Sequence, residues 1–124
     1  MNYPRLVGLL ATAWVVSACG GAAIPQAQMT ASEKAISAAE GGGAQGVPKA
    51  ALHLKQAQDQ VAEAKKLIEE EEDMERAEWI LRRAEVDAEL ALTLARESTA
   101  KAEAAEAVEM VQLLREKLKS GGAK

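Results

Sequence analysis

Phenylalanine is absent from this 124-residue chain, and its aromatics are one tyrosine and two tryptophans. A single cysteine and a single histidine complete the list of scarce residues. One Cys and one His leave no ligand set for a structural zinc site and no disulfide framework. The net charge of −4, with no basic patch interleaved with aromatics, argues against nucleic acid as a partner. No catalytic constellation and no cofactor motif stands out, since His53 lacks a Cys or second His nearby and reads as an ordinary surface histidine. With alanine dominating the apolar share, a wide core is excluded, because small side chains bury little surface each.

Proline and glycine are scarce where it matters. Between Lys49 and Ser120 there is neither, and the segment is built from Ala, Leu, Glu, Lys, Arg and Gln, the strong helix formers. Apolar residues recur at Ala50, Leu54, Ala57, Val61, Ala64 and Ile68, and again at Ala77, Leu81, Ala84, Ala88, Ala91 and Ala95. These steps of three and four place one seam along each segment. No period-2 alternation is present, so the fold class expected is all-α.

One unbroken rod would be on the order of 105 Å long at 1.5 Å per residue. The charges favour a hairpin instead. Glu69 to Asp73 would set like charges three and four apart in a continuous helix, whereas a turn at 70–72 frees Asp73 to cap the next helix. The expectation is an antiparallel helical hairpin with an Ala-rich, coiled-coil-like seam, preceded by a short helix and extended by a long third one. The helices are expected at about 31–40, 48–70 and 73–118, within an α-helical domain at 31–118 and before a disordered tail at 119–124. Thr30-Ala31-Ser32-Glu33 fits a capping box that opens the first, the glycines at 41–43 end it, and Pro48 suits the start of the second.

Helix 3 outruns its partner. Its overhang carries a second stripe, Ala104, Ala107, Val111, Leu114 and Leu118, out of phase with the first, the slip falling near Ser98-Thr99. An isolated helix is marginal in water, so this stripe needs cover, from the first helix folding back or from a second copy of the chain. Trp79 sits off the main seam and is expected under the first helix or at a dimer contact. Trp79, Ala104, Val111, Leu114 and Leu118 together form the expected partner surface.

The N-terminus adds a targeting pattern. Arg5 precedes an apolar run from Leu6 to Val16 that ends in Ser17-Ala18-Cys19. A charged start, a short apolar stretch and small residues before a cut site describe a secretory signal peptide at 1–18, and the run is too short to span a membrane as a mature helix. Val16-Ser17-Ala18-Cys19 resembles the bacterial lipobox. That resemblance implies cleavage between Ala18 and Cys19, a diacylglyceryl thioether on Cys19 and an acylated (palmitate-type) amine. Two or three acyl chains anchor a protein where one does not. Residues 19–30 would then be a flexible tether, and Gly20 after the cysteine implies sorting to the outer membrane, on its periplasmic face, in a Gram-negative cell.

Ala35-Ile36 with Ala39-Glu40, Val47-Pro48 before Leu54-x-x-Ala57, Ala64-Lys65, Asp73-Met74-x-x-Ala77 and Asp87-Ala88-Glu89-Leu90-Ala91 resemble the domain of unknown function 4398, from Ala31 to about Arg96. Glu72 and Met74 stand where members of that family often carry Gly-Asp and an aromatic. The resemblance implies an α-helical domain of envelope lipoproteins with no catalytic residues to carry over. The function expected is structural or adaptor, with another envelope protein or a homo-oligomer as partner. The alternative is a peptidoglycan tether joined through Lys124, similar in outline to the major murein lipoprotein.

Overall fold

The computed structural model describes residues 23–121. The expected signal peptide, the expected cleavage pair Ala18 and Cys19, the first part of the expected tether and Lys124 lie outside the described residues. Three helices follow in order: α1 (Gln26–Gly41), α2 (Pro48–Glu69) and α3 (Met74–Gly121), with one 3-10 turn at Ala44–Gly46 between the first two. There is no strand among the described residues, and the class is all-α.

α2 and α3 form the antiparallel hairpin. The two seams meet along it, with Ala57, Val61 and Ala64 packed on Ala77, Leu81, Ala84 and Ala88 near the turn. Further along, Ala50 and Leu54 meet Ala91 and Ala95. All of these are buried, most of the alanines completely. Leu81 is the largest side chain with no exposure at all. Methyl groups line most of the contact, which permits an approach at the short end of the usual 8–10 Å range.

The turn closes α2 with a Schellman arrangement. The N–H of Glu72 donates to the carbonyl of Leu67 at 3.2 Å, and that of Glu71 to Ile68 at 3.2 Å, which satisfies two of the helix's orphan carbonyls. Glu71 takes the left-handed position at φ 52°, a slot usually given to glycine. Asp73 Oδ1 then accepts the Arg76 N–H at 2.9 Å, capping α3.

α1 differs from the sequence expectation in two ways. It begins at Gln26, not at residue 31, so residues 26–30 are helix rather than tether. Pro25, as N-cap, supplies the carbonyl for the first helical bond from Met29 at 3.0 Å, and Met29 packs against the hairpin core. Tertiary contact therefore extends the helix a turn past the capping box. The Thr30 hydroxyl, now inside the helix, donates back to the Gln26 carbonyl at 3.0 Å. Secondly, α1 does not cover the overhang. It lies along the first half of α3 and against α2, with Ile36 touching both halves of the core. Its exit is tight: a Cβ at Gly42 would collide with the Leu92 side chain, and Gly43 turns the chain at φ +79°. α3 also runs on to Gly121, so residues 119–121 are helical rather than part of a frayed tail.

Candidate functional site

Every residue from Arg96 to Gly121 is exposed. Since α3 is 48 residues long, its second half projects from the bundle as an arm, on the order of 36 Å at 1.5 Å per residue. On it Val111 is 46%, Leu114 52% and Leu118 76% exposed, and Ala104 is also exposed.

Trp79 is 61% exposed and lies neither under α1 nor in the core. Ile80 and Leu81 take the positions that face the other helices, which turns the indole outward. That outward face is not empty. Each residue two places beyond a seam residue stands about 200° around the helix. Trp79 follows Ala77 in this way, Val86 follows Ala84 and Leu90 follows Ala88. Val86 is 63% exposed and Leu90 39%.

Continued in steps of three and four, the same outer line passes through Thr93, Glu97 and Ala100 and reaches Ala104, Ala107, Val111, Leu114 and Leu118. On the continuous α3, heptad counting thus joins Trp79 to these five arm residues in one stripe. What reads in the sequence as a phase slip near Ser98-Thr99 is two stripes on opposite sides of α3. The inner one ends at Ala95, where α2 begins, and the outer one continues. A strict heptad drifts about 20° per repeat on a straight helix, the drift that a left-handed supercoil takes up.

Two charges interrupt the outer stripe, and both are compensated within the chain. Arg83 lies 6.0 Å from the centroid of the Trp79 ring and 4.0 Å from Asp87, a cation over an aromatic face. Lys101 pairs with Glu97 at 2.6 Å, and its hydrogen bond, aided by its charge, holds the Glu97 carboxyl below the usual range.

One polar cluster escaped sequence reasoning. His53 Nδ1 lies 3.3 Å from Asp87 Oδ1, both side chains largely covered, and Gln60 Nε2 donates to Asp87 Oδ2 at 2.8 Å. His53 is thus a half-buried, paired residue rather than an ordinary surface histidine. Asp87 ties α2 to α3 and anchors Arg83 as well. Only the spacing of the folded hairpin reveals it, because the partners are 34 positions apart in the chain. Arg82 pairs with Glu78 at 2.6 Å, as an i, i+4 spacing suggests. Among the described residues no group of three or more His, Cys, Asp or Glu could hold a metal. No described helix is long and apolar enough to cross a membrane.

The molecule is therefore a three-helix, alanine-seamed bundle with a projecting helical arm. Comparison with known families places it more closely. The model described as Domain of unknown function (DUF4398) matches residues 27–107, and the chain belongs to that family. The match spans the bundle and the first part of the arm. Comparisons with curated proteins and with solved structures return no match.

Proposed function

We propose that the protein is a lipid-anchored scaffold or adaptor of the bacterial cell envelope, held on the periplasmic face of the outer membrane through Cys19. The bundle serves as a spacer, and the arm presents the outer stripe to a protein partner. The observation that carries this reading is the arm itself: a helix half in which every residue is exposed, whose heptad line runs on into Trp79. Water does not favour leaving such a line uncovered. The lipobox-like Val16-Ser17-Ala18-Cys19 supports the anchor, since two or three acyl chains add about 0.8 kcal/mol for every buried CH₂.

The test is membrane fractionation of Cys19→Ala in the native host. Under this reading the variant leaves the membrane fraction or accumulates uncleaved, and metabolic labelling with a fatty acid is lost with it. Unchanged sedimentation together with retained label would end the anchor reading.

A further inference from the structure

We propose that the occupant of the outer stripe is a second copy of this chain, bound antiparallel along α3 so that each arm lies on the outward face of the other copy's bundle. The inference deepens the scaffold reading and rests on its use of this stripe, but not on the lipid anchor.

Four observations favour a second copy. The first is length. The bundle-backed half of α3, up to Glu97, and the arm, from Ser98, are equal halves of the 48-residue helix. In antiparallel alignment they overlap end to end, and no part of either stripe is left in water.

The second is register. The same heptad phase runs through both halves, so one face complements itself. Layers that alternate the two heptad core positions put Trp79 opposite Leu118 of the second copy, Val86 opposite Val111, and Leu90 opposite Ala107. The same register sets Arg83 opposite Leu114, and at the three layers named bulk in one half meets a partner in the other, as knobs-into-holes packing requires.

Charge is the third. A parallel, in-register pair would stack Arg83 on Arg83, Glu97 on Glu97, and bring Arg96 beside Lys101. The antiparallel pair moves Arg83 away from Arg83 and Arg96 away from Lys101, and sets Arg96 beside Glu103 of the second copy, twice by symmetry. Its two unfavourable approaches involve charges already paired within their own chain: Arg82, near Lys117, is held by Glu78 at 2.6 Å, and Glu97, one layer from Glu97 of the second copy, by Lys101 at 2.6 Å. The two charges inside the stripe bring their own partners, Asp87 and Lys101, which lowers the cost of covering them.

The fourth is area. From Trp79 to Leu118 the stripe is about 60 Å long and a helix is about 10 Å across. That footprint, on the order of 600 Å² per copy, approaches the roughly 800 Å² per partner of a standard stable interface.

The experiment uses full-length chains in the native host. Two differently tagged copies are co-expressed, one with Val86→Cys and one with Val111→Cys, and membranes are oxidised gently. The expected product is a disulfide between the two tags, while Val111→Cys alone forms none with itself. A Val111→Cys homodisulfide without the mixed product would overturn the antiparallel arrangement. No disulfide from either variant, with the detergent-solubilised chain eluting at monomer mass, would overturn pairing altogether. In the wild-type background, Ala107→Glu together with Val111→Glu should lower the dimer fraction at least about tenfold, because the pair sets four carboxylates against Leu90 and Val86 of the two copies. Leu113→Glu, on the opposite side of the arm, should leave it unchanged, and equal loss in both would refute the stripe. The unaltered chain in the same oxidation reports on Cys19 separately. A disulfide there would count against lipidation without touching the pairing.

Discussion

Replacing Leu81 with alanine should cost the bundle a large part of its stability. Leu81 is fully buried and packs among alanines, whose methyl groups have no rotamers with which to fill a gap. The site therefore collapses poorly, and the loss should sit in the middle of the usual Leu→Ala range of about 2–5 kcal/mol. A bundle of about 70 residues at 0.05–0.15 kcal/mol each holds only about 4–11 kcal/mol in total. At about 4–8 °C per kcal/mol for a domain of this size, a loss of about 3 kcal/mol lowers the Tm by about 12–24 °C. The control is Leu114→Ala, half-exposed on the arm. In dilute, monomeric protein it should change stability by less than about 0.5 kcal/mol, helped by the better helix propensity of alanine. Both are measured by urea and thermal unfolding of detergent-solubilised protein, followed by far-UV circular dichroism. If Leu81→Ala costs under about 1 kcal/mol, or no more than Leu114→Ala, the seam is not what holds the bundle together.

Two further substitutions probe the hairpin. Glu71→Gly should stabilise by about 0.5–1 kcal/mol, since the left-handed turn position at φ 52° strains any residue with a Cβ and one of five clustered acids is removed; a destabilised variant in urea titration would contradict the turn geometry. Asp87→Ala strips the partner from His53, Gln60 and Arg83 at once. It should cost about 1–3 kcal/mol by leaving covered polar groups unsatisfied, and a loss within error of zero would mean that the cluster does not tie the helices.

The helices and the seam were legible because a three-four rhythm of apolar residues needs only local counting. Ala77, Ala84 and Ala95 follow from that count, and Asp73 reads as a cap from its position after the acidic run. The start of α1 is not legible in the same way, because what makes residues 26–30 helical is Met29 resting on a core assembled from distant segments. Of the two places expected for Trp79, the one under α1 is excluded, for a different reason. Its neighbours Ile80 and Leu81 compete for the same interior, and the sequence does not say which of three adjacent apolar residues loses. The outer stripe was visible only in its last third, where no inner seam overlies it. The contact of His53 with Asp87 depends on how the two helices align across the turn, which no local pattern encodes.

The unbroken course of α3 through Arg96, Glu97 and Ser98 sets a rule for length changes in the gene. Losing or gaining one residue there would rotate everything beyond it by about 100° and shift it by about 1.5 Å, so that Val111 and Leu114 no longer align with Val86 and Leu90. A change of seven residues would restore the alignment to within about 20°. At the junction between bundle and arm, substitution should be tolerated far more readily than insertion or deletion, and viable length variants should differ there by whole heptads.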